Sequence, residues 1–175
     1  MIEKLLKPRS QVIIVTGITA LIVLYHSLFE WPSDTQVRQK QEAFLLAIEE
    51  GDNSAWNSLI SESYEDQWGF SKSDALVALQ DVRSQFIGLN ITWKPESKIV
   101  DSGEGKLAGT MKFEATGFFA TDMITSRLNR IAAPWVFEWQ KESWLPWSWR
   151  LTRIENSELD LGDYSPGDLK RKMKQ

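Results

Sequence analysis

The chain has 175 residues, a formal net charge of −4 and no cysteine. The length suits one domain behind a short N-terminal segment, and the lack of cysteine excludes disulfides, thiol nucleophiles and thiolate metal sites. An acidic chain without a basic stripe is not expected to bind nucleic acid. The single histidine, His26, falls in an apolar stretch, so the rest of the chain has no imidazole for acid–base work or metal binding. We expect no metal and no cofactor.

The first predicted element is a transmembrane helix over residues 10–30. Residues 10–29 contain no charged side chain, and about 20 apolar residues span the hydrocarbon core of a bilayer. Basic residues precede this segment, whereas the first charges after it are acidic. The positive-inside rule therefore places residues 1–9 in the cytoplasm and the remaining chain on the periplasmic or extracellular side. The basic residues are Lys4, Lys7 and Arg9.

A cleaved signal peptide is the alternative interpretation of the same segment. Cleavage requires small residues at the position before the cut and two positions earlier. Ser27 is preceded at that spacing by Tyr25, and Ser33 by Trp31, so neither site fits. An uncleaved anchor is the prediction that we carry forward.

Three helices are predicted next, from capping residues and apolar spacing. Ser33 or Asp34 begins the first helix, and Gly51 ends it. The second is short and follows Asp52 or Asn53. The third begins at the capping pair Ser71-x-x-Asp74 and ends before Gly88.

Beyond Gly88 the apolar residues alternate, which is typical of half-buried strands. We predict strands at 89–94, 98–101, 107–119, 133–140 and 144–155, with Pro95 separating the first two and a crossover at 121–130. On the longest strand the helix-facing side chains are apolar, whereas Lys112 and Glu114 fall on the opposite face, as does Glu138 on its own strand. Residues 156–175, acidic and then basic, are predicted to form a flexible tail.

The fold class is therefore α+β, with three helices packed on a curved antiparallel sheet behind a transmembrane helix. Three local patterns add a resemblance: Ile48-Glu49-Glu50-Gly51-Asp52 followed by Trp56, Val136-Phe137-Glu138-Trp139, and Trp149-Arg150-Leu151. They resemble the NTF2-like, or SnoaL-like, superfamily over residues 34–155. The resemblance implies a conical domain with a cavity between helices and sheet, and frequent dimers through the outer face of the sheet. It implies no single function, because this fold hosts enzymes, binding proteins and scaffolds.

Two hypotheses about function follow. The first is a membrane-anchored, non-catalytic domain at the cell envelope that binds a partner protein, such as a membrane protein or a second copy, or a small apolar ligand. The second is an isomerase, dehydratase or cyclase that uses a carboxylate in the cavity. A buried Asp or Glu beside Tyr64 would favour the enzyme, whereas a cone filled with Trp and Phe would oppose both enzyme and small-ligand binding. The candidate ligand-binding residues are Trp56, Tyr64, Trp68, Trp135, Trp139, Trp149 and Arg153.

Overall fold

The computed structural model describes residues 15–22, 32–118, 120–145 and 147–168. Residues 15–22 are helical and exposed, and the rest of the predicted 10–30 segment and the cytoplasmic residues 1–9 lie outside the described part. Among the described residues, no helix combines the length and the apolar character needed to cross a bilayer. The transmembrane helix therefore stays a prediction from the sequence.

The three predicted helices are confirmed: α1 (Ser33–Glu50), α2 (Asn53–Leu59) and α3 (Lys72–Arg83). Gly51 ends α1 at φ 73°, a left-handed conformation that glycine adopts without strain. The carboxylate of Asp52 accepts the backbone N–H groups of Ser54 and Ala55 and so begins α2. Ser71 and Asp74 form a reciprocal capping box at α3.

Four antiparallel strands form one sheet in the order β1–β2–β3–β4. Their bounds are β1 (Phe86–Val100), β2 (Glu104–Gly117), β3 (Trp135–Lys141) and β4 (Trp149–Glu155). A further helix, α4 (Thr121–Leu128), occupies the predicted crossover between β2 and β3. At Gly109 of β2 a Cβ atom would lie 2.4 Å from the carbonyl oxygen of Lys94, so the close approach of β1 requires glycine there.

The predicted break at Pro95 is wrong, because β1 continues through it as one strand of 15 residues. The register shifts between Pro95 and Ser97, which marks a bulge. β1 is an edge strand, which is where a proline within a sheet is tolerated.

Both edges of the sheet are obstructed by neighbouring chain. The loop after α2 runs along β4, where the N–H groups of Ser61 and Glu65 donate to the carbonyls of Leu151 and Thr152 at 2.9 and 3.1 Å. On the opposite edge, the carboxylate of Glu49 in α1 accepts the N–H of Ile91 in β1. These contacts satisfy backbone groups that an open edge would expose.

The predicted flexible tail is wrong for residues 156–168, which pack against the domain. The Trp68 indole donates to the carbonyl of Leu159 at 3.0 Å. Further along, the Tyr164 hydroxyl and the Gly167 N–H donate to one carboxylate oxygen of buried Asp81, at 3.2 and 2.7 Å. Residues 169–175 lie outside the described part.

Candidate functional site

The space between the helices and the inner face of the sheet is filled by aromatic side chains. Trp56, Trp139 and Trp149 are fully buried there, together with Phe44 and Phe137. The rings of Phe44 and Trp139 meet edge to face, with centroids 6.3 Å apart and planes at 83°. The aromatic side chains that were expected to line a cavity therefore pack against one another in a closed core.

Two glutamines on α1 hold the buried indoles in place. The Trp149 Nε1–H donates to Oε1 of Gln36 at 2.9 Å, and the Trp139 Nε1–H donates to Oε1 of Gln41 at 3.0 Å. Sequence reasoning missed both glutamines. A signal existed, because Gln41 lies four residues after Val37 and three before Phe44, on the buried face of the helix.

The remaining candidate tryptophans also pack within or against this core. Trp135 is buried on β3 opposite Gly109, and Trp68 is partly buried and packs against the core. The indole N–H of Trp56 has no hydrogen-bond acceptor among the described residues.

Arg153 does not share a face with Trp149 and Leu151, contrary to the strand alternation. Leu151 pairs with Trp139, but Arg153 pairs with Glu138, so Thr152 is an extra residue in β4. This bulge moves Arg153 to the outer face of the sheet. There its guanidinium donates to the carboxylate of Glu155, which raises the pKa of Arg153.

Tyr64 and Asp66 form a buried pair in the loop after α2. The Tyr64 hydroxyl donates to Oδ2 of Asp66 at 3.2 Å, and Oδ1 accepts the N–H groups of Trp68 and Phe70 at 3.0 and 2.9 Å. Burial raises the pKa of the Asp66 carboxyl, opposed by those backbone hydrogen bonds. Burial, and then the charge of Asp66, also raises the pKa of the Tyr64 phenol. The pair meets the sequence criterion that favours an enzyme, although three donors from its own loop already surround the carboxylate.

The raised pKa of Asp66 predicts a pH-dependent stability. The folded state holds this proton more tightly than the unfolded chain, whose Asp pKa is about 3.9. As the pH rises from about 4 through the folded pKa, the unfolded state releases the proton first, so the contribution of Asp66 to stability falls. Asp66→Asn removes this proton, and its free energy of unfolding relative to the wild type is expected to rise over that range. Urea unfolding across a pH series measures the difference in unfolding free energy between the two proteins. A difference that stays constant with pH would contradict a raised pKa of Asp66.

An open groove lies on the outer face of the sheet, where the two hairpins meet. Its volume is about 490 Å³. The amine of Lys106 and a carboxylate oxygen of Glu138 form an ion pair at 2.7 Å on its floor, and this contact raises the pKa of Lys106. Asp101 and Glu104 add negative charge, so the groove has an acidic excess. The lining residues are Ile99, Asp101, Glu104, Gly105, Lys106, Glu138, Trp139, Gln140 and Thr152.

Comparisons with solved structures identify the fold. The chain is similar to Bd1075 of Bdellovibrio bacteriovorus (TM-score 0.54, 9% identity), over 73% of this chain but only 41% of that one. It is also similar to a candidate dehydratase of the NTF2-like family from Streptomyces avermitilis (0.51, 12%, 70% of this chain and 93% of that one). A third is an NTF2-like protein from Cytophaga hutchinsonii (0.50, 11%, 71% and 96%). No family model and no curated protein sequence matches. The domain therefore has the NTF2-like α+β fold, and identities this low establish the fold alone.

Proposed function

We propose that this protein is a membrane-anchored, non-catalytic NTF2-like domain that binds a partner protein through the outer-face groove. The observation that carries the proposal is the closed cone, whose fully buried tryptophans occupy the place where a small ligand or substrate would bind. The groove, by contrast, is open and combines an exposed apolar side chain, Ile99, with an acidic excess. A partner with basic side chains would complement that charge.

The membrane part of the proposal rests on the sequence. An uncharged stretch of about 20 residues behind basic residues favours a single-pass anchor with a cytoplasmic N-terminus. The domain would then lie on the periplasmic or extracellular side, and α1 begins at Ser33, close behind the predicted span. A partner in or near the same membrane is favoured for that reason, and a second copy of this chain is one such partner.

Site-specific photo-crosslinking in native membranes tests the groove. Ile99 and Ile87 lie towards opposite ends of β1 and are 73% and 70% exposed, so a photoreactive residue at position 87 is a matched control for one at 99. We expect a protein adduct from position 99 and not from 87. Charge reversal of Asp101 and Glu104 should weaken that adduct, and an adduct of twice the chain mass would identify a homodimer. No adduct, or equal adducts from both positions, would contradict the groove as the binding surface.

An enzyme remains the second candidate, because buried Asp66 lies within hydrogen-bond reach of Tyr64 and has a raised pKa. A general acid–base catalyst must be reached by its substrate. A water-soluble carbodiimide with an amine nucleophile tests this access, because it labels reachable carboxyl groups at mildly acidic pH. We expect label on the exposed Asp52 and Asp101 of the folded chain but none on Asp66. Labelling of Asp66 at a comparable rate would favour the enzyme and contradict the non-catalytic assignment.

A further inference from the structure

Two exposed tryptophans lie in the connection between β3 and β4. Trp144 is 69% exposed and Trp147 is 49% exposed, whereas the neighbouring Trp149 is fully buried. We call residues 142–145 and 147–148 the tryptophan loop. Indole rings combine a large apolar surface with one polar N–H, and this chemistry favours the boundary between hydrocarbon and water.

The tryptophan loop is held in shape by its own hydrogen bonds. The Ser148 hydroxyl lies 2.7 Å from the carbonyl oxygens of both Ser143 and Leu145, and it accepts the N–H of Ser143 at 3.1 Å. The Glu142 N–H donates to the carbonyl of Ser148 at 3.1 Å. The described residues on the two sides of position 146 are therefore tied together by hydrogen bonds, which limits the conformational entropy lost when the indoles bind.

This loop lies at the end of the domain where the chain enters α1. Trp149, which follows the loop directly, donates its indole N–H to Gln36 in the first turn of α1. The predicted membrane span ends at residue 30, and the three residues from there to Ser33 extend at most about 11 Å. The position of α1 thus brings the loop towards the bilayer surface.

Cationic side chains accompany the loop. The Arg150 guanidinium donates to the carbonyl oxygens of Trp147 and Trp149, at 3.4 and 3.1 Å. Lys40, one turn beyond Gln36 on α1, is near enough to Arg150 that burial and then this charge lower the pKa of Lys40. The nearby acid Glu142 accepts the Ser61 hydroxyl at 2.6 Å. The neutral hydroxyl leaves the charge of Glu142 in place, so two cations stand against one acid beside the exposed indoles, an excess that favours an anionic lipid surface.

We infer that the tryptophan loop, with Arg150 and Lys40 beside it, docks the domain onto the headgroup region of the membrane that holds its anchor. This inference rests on the proposed membrane attachment. Docking fixes the orientation of the domain and holds the groove close to the bilayer. The β1–β2 hairpin, which lines the groove, lies next to the loop, because the Lys141 N–H donates to the Gly103 carbonyl.

The absence of native cysteine allows a direct test on the full-length chain. Single cysteines at 144, 147 and 123 are labelled with the environment-sensitive fluorophore NBD, and each protein is reconstituted into phosphatidylcholine vesicles with and without phosphatidylglycerol. Met123 is the matched control, because it is 70% exposed and lies on α4, which follows the far end of β2. Flotation of the protein with the vesicles after a high-salt wash measures membrane attachment through the anchor, separately from docking of the loop.

We expect label at 144 and 147 to emit at shorter wavelength than label at 123, and to be quenched by lipids that carry a nitroxide in the headgroup region. Phosphatidylglycerol should strengthen both effects. If the protein floats but all three positions report water, docking is wrong and the anchor stands. If the protein does not float, the membrane attachment fails and docking fails with it. A Trp144→Ser/Trp147→Ser variant that still floats and loses part of the quenching of its tryptophan fluorescence by brominated lipids would agree with the inference, whereas unchanged quenching would overturn it.

Discussion

Trp139→Ala is expected to lower the free energy of unfolding by about 3–5 kcal/mol, the usual cost of removing a large aromatic side chain from a core. The substitution removes the contact with Phe44 and the hydrogen bond to Gln41. It also leaves Gln41 worse satisfied, because its Nε2 already has no acceptor among the described residues. Urea unfolding of the full chain in detergent measures the loss.

A double variant separates packing from hydrogen bonding. Trp139→Phe with Gln41→Leu keeps most of the buried volume and removes both polar partners, so it should recover most of the lost stability. A loss below about 1 kcal/mol for Trp139→Ala would contradict a well-packed cone, because such a site could empty without penalty.

The same alanine variant tests the functional assignment. It opens an apolar space of the size of an indole, and engineered apolar cavities bind apolar ligands that match them. Added indole should therefore raise the stability of Trp139→Ala in proportion to ligand concentration and leave the wild type unchanged. Stabilisation of the wild type by indole would favour a natural ligand pocket and contradict the closed cone.

Asn156→Ala is expected to cost about 2–4 kcal/mol, because one fully buried side-chain amide joins the residues before β3 to the residues after β4, and each polar group left unsatisfied costs about 1–3 kcal/mol. Its Nδ2 donates to the carbonyl of Ala133 at 3.0 Å, and its Oδ1 accepts the N–H groups of Glu158 and Leu159, both at 3.0 Å. The substitution should release the segment that follows, so that a glutamate-specific protease cleaves after Glu158 in the otherwise folded chain.

The exposed Asn90 on β1 supplies the control for this experiment. Asn90→Ala removes the same side chain where no packing depends on it, and it should leave both stability and protease resistance unchanged. Equal behaviour of the two variants would contradict the role assigned to Asn156.

The parts of the fold that local chemistry determines could be predicted from the sequence. Gly51, Asp52 and the Ser71–Asp74 capping box mark helix ends through contacts within a few residues, so helix bounds were predictable. The apolar alternation of β2 likewise identified its buried face.

The remaining features depend on contacts between distant residues. The bulge at Thr152 arises from pairing with β3 and reverses the face of Arg153, which simple alternation cannot anticipate. Asn156 bonds Gln67 and Ala133, far away in the sequence, so an acidic, loop-like segment proved to be packed. The many tryptophans predict aromatic walls, but whether such walls enclose a cavity or fill it is decided by tertiary packing, in which Gln36 and Gln41 meet the indoles only after folding.

The obstructed sheet edges bear on aggregation. A membrane anchor would concentrate copies of this chain in two dimensions, a setting in which an open strand edge would invite cross-β pairing between neighbours. Here the loop after α2 runs beside β4, and Glu49 and the Pro95 bulge interrupt the edge of β1. These features leave fewer backbone groups open to the ladders that seed fibres, and they favour contacts between side chains, which can dissociate.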